Sequence, residues 1–242
     1  MKMQLTFSAL SLCAAMGGCA AIEHSAREDS DAAREAVLTQ ERQQQFTPAE
    51  ILAELKAGNE RFVRGETTPQ NWLKQASLTA NDGQYPKAIV LSCLDSRVPT
   101  EIIFDRGIGD IFVGRVAGNF ENTDMLGSME FGTKLAGSKV IVVLGHTSCG
   151  AVKGAIAEAE LGNLTETLAN ITPAVEMAKQ ESPGATVDDA EFVQRVVENN
   201  VRITVADISD RSPVMADMIA SGDLMVVGAW YDLATGKVHW LN

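Results

Sequence analysis

The sequence predicts an α/β protein: a mainly parallel sheet of four strands plus a short C-terminal edge strand, helices on both faces, and an N-terminal helical arm. Three observations lead there. Four short apolar runs rich in β-branched residues occur at residues 88–91, 111–113, 140–144 and 224–230. Each is nearly continuous in hydrophobicity, as in strands covered on both faces. Helical patterns fill the spaces between them, and strands that alternate with helices build a parallel sheet.

The elements follow in order. Lys2, an apolar run from Leu5 to Met16, and the small residues Gly17, Gly18, Cys19 and Ala20 read as an export signal over residues 1–18. The run is too short to span a bilayer. Cys19 after two glycines predicts lipidation of that cysteine; plain secretion with cleavage after Ala20 or Ala21 is the alternative. The protein is therefore expected to be exported to the periplasm, touching membrane only through a lipid on Cys19. Residues 19–46, rich in Glu, Arg, Gln, Ala and Asp, read as a polar tether, or as an arm that packs only on a partner. The folded domain is expected at residues 47–242. It opens on Thr47, Pro48, Ala49 and Glu50, a capping box with Pro at the first helical position. Ile51, Leu55 and Phe62 then recur at helical spacing. Further helices are predicted around residues 123–135, 150–161, 164–179 and 189–207. Ser212–Pro213 announces a short one stopped near Gly222. A turn at residues 232–236 leads into a last strand at 237–241.

The net charge is −12, which argues against nucleic acid and against docking on anionic lipid as partners. Of four cysteines, Cys13 and Cys19 fall in the signal region, leaving Cys93 and Cys149 in the folded body. In an oxidising compartment the simplest reading of such a pair is a disulfide.

The map places these residues informatively. Cys93 follows the first strand, in Cys93-Leu94-Asp95-Ser96-Arg97, and His146 and Cys149 follow the third, in His146-Thr147-Ser148-Cys149. Carboxyl ends of strands form the ligand crevice of open α/β sheets. Two cysteines and a histidine there, with a fourth position open, suit a catalytic zinc. A disulfide would account for both cysteines and leave His146 without a purpose. Asp95 and Arg97 lie two apart beyond a strand end and can turn to one side. An ordinary loop clamp explains them equally well on residue type alone.

Cys-x-Asp-Ser-Arg followed some fifty residues later by His-x-x-Cys resembles the β-class carbonic anhydrases. Gly83-Gln84-Tyr85-Pro86, residues 110–119 and Gly228-Ala229-Trp230-Tyr231-Asp232 extend the resemblance over roughly residues 49–241. It implies one Zn2+ per chain on Cys93, His146 and Cys149, and a zinc lyase that hydrates carbon dioxide to bicarbonate and a proton through zinc-held hydroxide. Asp95 and Arg97 become the catalytic dyad, with Asp95 the fourth metal ligand in a closed state. Gln84, Phe112 and Ala117 become substrate-binding residues, some reaching across from a neighbouring subunit, so a homodimer or higher homo-oligomer is implied. Two thiolates put more negative charge on the metal than histidines do, so activity is expected to favour neutral-to-alkaline pH. His24 and His239 are the remaining histidines, and neither is assigned as a proton shuttle.

Departures are few. Leu94 stands where the family has Ser, and Gly114 and Val116 flank Arg115 where other residues are usual. Some bacterial members bind a second, inhibitory bicarbonate with a Trp three residues before the first zinc cysteine and an Arg at the position of Arg115. This chain has Val90 at the Trp position, so that site is not expected. The rival readings are a carbonyl sulfide or carbon disulfide hydrolase on the same scaffold, and a non-catalytic envelope metal-binding protein.

Overall fold

The computed structural model describes residues 35–241. The predicted signal at residues 1–18, the lipidation candidate Cys19 and His24 lie outside them. The sheet runs β2-β1-β3-β4-β5. Strands β1 (Ala88–Ser92), β2 (Ile111–Arg115), β3 (Val140–His146) and β4 (Met225–Tyr231) are parallel, and β5 (Val238–Trp240) is an antiparallel edge. The register pairs Ala88 with both Ile111 and Val140, so β1, β2 and β3 start level and the loops after them emerge side by side.

Alternation along the strands divides the core between the two faces. Val90, Val142 and Leu144 pack with Ile51 and Leu55 of α2 (Pro48–Arg64). Ile89, Leu91, Ile141 and Val143 pack with Val201 and Ile208 of α9 (Ala190–Arg211) and Met215 of α10 (Pro213–Ala220). A third apolar cluster lies beyond the strand ends, among α6 (Gly150–Ile156), α7 (Asn163–Ala169), α8 (Thr172–Glu181) and α9. Cys93 and Cys149 belong to it. The predicted capping box forms: the Glu50 N–H donates to Thr47 Oγ1 (3.3 Å) and the Thr47 N–H to Glu50 Oε2 (2.8 Å).

Three expectations need correction. Residues 40–46, read as part of a polar tether or of a helical arm that packs only on a partner, pack on this chain's own body through α1 (Gln40–Gln45). Buried Gln43 donates its amide to the Pro86 and Ala136 carbonyls, both at 2.8 Å, and Lys139 reaches the carbonyls of Gln44 and Phe46. These are polar anchors, which hydropathy does not register. The stretch at 164–179 is two helices, because Pro173 cannot continue a helix from residue 169 and the chain restarts at Thr172. Helix α3 (Trp72–Asp82) was not anticipated; its buried residue is Gln75, so no apolar period marks it. Helix α5 (Thr123–Glu130) runs into a π-turn at Phe131–Leu135 within the predicted span, and α4 (Thr100–Ile103) is a single turn.

Candidate metal centre

The site is built where β1 and β3 end. Cys93, His146 and Cys149 are all buried, and their ligand atoms lie within 4.8 Å of one another. His146 is the last residue of β3, and Cys149 caps α6. The turn between them is short because Ser148 adopts φ +54°, a left-handed conformation uncommon for Ser. Non-glycine residues held this way persist only where their surroundings impose them.

The donor set fits zinc on two observations. Cys93 Sγ and Cys149 Sγ are free thiols 3.9 Å apart. Two thiolates on one tetrahedral zinc, at about 2.3 Å each, stand about 3.8 Å apart, whereas a disulfide holds its sulfurs at about 2.05 Å. His146 Nδ1 lies 2.9 Å from the Thr147 carbonyl and donates to it, which leaves Nε2 as the lone-pair nitrogen. That Nε2 is buried without any hydrogen-bond partner. Such an atom is expensive unless something binds it.

Electrostatics point the same way. The Cys93 thiol is pulled well below its ordinary pKa, chiefly by the Cys149 thiol, with His146 and the Gly118 N–H (3.4 Å from Sγ) adding to the effect. Cys149 is pushed up by the same shared hydrogen bond and by burial, while the N–H groups of Ala151 and Val152 oppose the rise. Two thiols in contact beside an imidazole are groups from which metal binding releases protons.

Asp95 stands at the open side, its Oδ2 3.8 Å from His146 Nε2. It is turned to Arg97, whose backbone N–H and Nε donate to Oδ1 (both 2.9 Å) and whose Nη2 donates to Oδ2 (2.7 Å). The Arg97 side chain, more than burial, governs this carboxyl and keeps it well below the usual carboxylate range.

A comparison with protein families matches residues 88–238 to carbonic anhydrase. The chain belongs to the β-class carbonic anhydrase family. Carbonic anhydrase 2 of Mycobacterium tuberculosis is 40% identical over 190 residues, spanning 76% of this chain and 87% of that one. The carbonic anhydrase of Mycolicibacterium smegmatis is 38% identical over 192 residues, spanning 76% and 89%. Among solved structures, the β-carbonic anhydrase CafA of Aspergillus fumigatus superposes with a TM-score of 0.64 at 26% identity, covering 80% of this chain and 90% of that one. Membership makes zinc the metal for this carbonic-anhydrase site, one ion per Cys93–His146–Cys149 set.

The remaining predicted residues fall differently. Ala117 is half-buried next to Gly118, whose N–H meets Cys93, so it belongs to the centre's surroundings. Phe112 sits inside β2 opposite Ile89 and packs edge-to-face on Phe131, away from the trio of its own chain. Gln84 is exposed at the amino end of the sheet, grouped with Gln43, Lys134, Gly137 and Lys139. Strands of five to seven residues separate that end from the trio, a distance of roughly 20 Å. At the two positions compared with the inhibitory bicarbonate site, Val90 is buried in the core, and the Arg115 guanidinium donates to backbone carbonyls. Sequence reading missed two contributors, Arg115 as a loop anchor and Asn200, whose amide donates to the Gly118 carbonyl (2.7 Å). Both act on main-chain oxygens, and no motif signals such contacts.

Proposed function

We propose that this chain carries out the reversible hydration of carbon dioxide to bicarbonate and a proton, with Cys93, His146 and Cys149 holding the zinc. The observation that carries the reading is the placement of Asp95: an ionised carboxylate at the open side of a buried Cys-His-Cys trio, tied to Arg97 rather than to the ligands. Zinc in such a site supplies Lewis acidity that makes water available as a nucleophile near neutral pH. The residues do the rest. Asp95, acceptor-only when ionised, takes a hydrogen bond from the attacking group and so directs its lone pair outward. Arg97 keeps the carboxylate charged and off the metal. Apolar neighbours in the third cluster, Val152 and Phe120 among them, keep the surroundings dry and favour a small uncharged substrate.

The working unit we infer is a homodimer or larger. Strand β2 is a half-buried edge, beside a groove of about 800 Å³ lined by Ile89, Leu91, Phe112 and Met125. Phe131 and Leu135 stand exposed on the adjoining turn. Such a surface needs cover. A second copy would supply it, and would also give Gln84 and Phe112 a route to a metal centre other than their own. One solved structure that shares this fold, at 23% identity, comes from a description of two tetrameric β-carbonic anhydrases of Sordaria macrospora.

Export rests on residues 1–21 alone; no helix among the described residues is long and apolar enough to cross a membrane. Fractionation of cells expressing the wild type and Cys19→Ser tests it: lipidation predicts membrane-bound wild type and soluble variant. For the reaction, purified chain is assayed against carbon dioxide, carbonyl sulfide and carbon disulfide in parallel. Hydration of carbon dioxide far exceeding the other two supports the reading. Turnover of the sulfur substrates alone would replace it.

A further inference from the structure

The short loop that carries both Cys93 and Asp95 leaves β1 at Ser92 and is irregular. Packing holds its two ends, with Cys93 in the third apolar cluster and Val98 in the core, and the Val98 N–H donates to the Asp95 carbonyl (3.1 Å), but Leu94 between Cys93 and Asp95 is exposed. One side chain from outside the loop bridges that exposed stretch. Arg115, the last residue of β2, donates through Nε to the Cys93 carbonyl (3.0 Å) and through Nη2 to the Asp95 carbonyl. The backbone around it is stitched to the same loop: Leu94 N–H to the Val116 carbonyl (3.3 Å) and Val116 N–H to the Ser92 carbonyl (3.1 Å). Two residues further on, Gly118 gives its N–H to the Cys93 sulfur, with its own carbonyl held by Asn200 of α9.

We propose that Arg115 is a positioning residue of the metal centre: by bridging the carbonyls of Cys93 and Asp95 it fixes the direction of the thiolate towards His146 and Cys149, and of the Asp95 carboxylate towards Arg97. The inference rests on the zinc reading of the trio but not on the identity of the substrate. The geometry demands Arg. A planar guanidinium presents several N–H donors in a rigid fork and can hold two carbonyls at once, while an ammonium on a flexible stem is a point donor. Retaining charge without the fork should therefore leave the loop free to rotate about residue 94. Partners that orient metal ligands typically contribute 10–100-fold to metal affinity.

The test uses the full chain with three variants: Arg115→Ala, Arg115→Lys and, as a control at a distant guanidinium, Arg106→Ala. Zinc affinity is measured by competition with a chelator of known strength, and the cobalt(II)-substituted proteins are compared by their visible spectra. Thermal unfolding of the metal-free forms checks that each has folded. We expect zinc affinity to fall 10–100-fold in both Arg115 variants and to hold in Arg106→Ala. We also expect the cobalt ligand-field bands to shift, because Asp95 is released towards the metal. Lys can fold where Ala fails, so the series remains decisive. Wild-type affinity and an unchanged cobalt spectrum in Arg115→Lys would overturn the proposal, by showing that charge alone suffices. A wild type that binds no zinc would overturn it too. A wild type that binds zinc tightly yet does not hydrate carbon dioxide, with the Arg115 variants still weakened, would remove the proposed reaction and leave this inference standing.

Discussion

At the residue scale, the site is defined by atoms whose ordinary partners are missing or shared. His146 Nε2 is buried and unpartnered, two thiols share one contact, and Asp95 receives three hydrogen bonds from Arg97. Replacing Cys149 with Ala leaves two ligands, so zinc content after dialysis should drop from one per chain to near zero, read by atomic emission. Retention of a full equivalent would show that the trio is not the site. Arg97→Ala should act differently. Its metal content should be kept, but with the donors gone, Asp95 Oδ2, only 3.8 Å from His146 Nε2, is free to close the fourth position. Carbon dioxide hydration should then fall by about 10–100-fold, and unchanged turnover would contradict the assigned role. How legible these residues were follows from what they bind. Cys93, Asp95, Arg97, His146 and Cys149 declare themselves because the proposed function lies in their side-chain chemistry. Arg115 stands out in the resemblance but not as a holder of carbonyls, and nothing in the letters points to Asn200; both hold main-chain carbonyls, contacts any sequence offers everywhere. Ser148 at φ +54° is equally silent.

At the scale of elements, α1 is secured by polar contacts to main-chain carbonyls, and α2 adds a close backbone approach to its apolar packing. Gln43 fills the gap under the Gly137 turn, where a Cβ at Gly137 would meet its Oε1 at 2.8 Å. Gln43→Ala should cost about 1–2 kcal/mol of folding stability by leaving the Ala136 carbonyl short of a partner; Ser138 Oγ still serves Pro86. Urea unfolding would measure this, and an unchanged midpoint would mean that α1 does not contribute. Gly58 is stricter. A Cβ there would stand 2.0 Å from the Phe104 carbonyl oxygen, a backbone atom that cannot step aside. Gly58→Ala should therefore destabilise by at least about 1–3 kcal/mol as α2 is pushed off α4. The strands and most helices could be read from the sequence because their burial is apolar and periodic. Helix α3 could not, since Gln75 is what it buries, accepting from the Ile108 N–H. Nor could the docking of α1, which uses carbonyl oxygens of distant loops.

At the scale of the whole molecule, two features concern how the chain behaves as a body. Glu121 is buried beside Arg211, and burial, reinforced by Asp207, pushes its carboxyl up despite that arginine. A raised carboxyl favours the fold fully below its unfolded value of about 4.3 and loses that contribution as pH rises through the folded value. Glu121→Gln should thus match the wild type near pH 4 and gain on it by pH 7, when unfolding midpoints are compared at the two pH values. The second feature is the uncovered groove beside β2. Phe131→Glu should break an oligomer built on that face, giving a smaller sedimentation coefficient and lower hydration activity together; a change in neither would place the interface elsewhere. Everything above depends on the trio acting through a metal in the hydration of carbon dioxide. The most direct test is stopped-flow hydration on one preparation, first as purified, then stripped by chelator, then given back one equivalent of zinc. The account predicts activity, its loss, and its return in proportion to zinc bound; full activity in the stripped protein, or none with zinc restored to every chain, would contradict it.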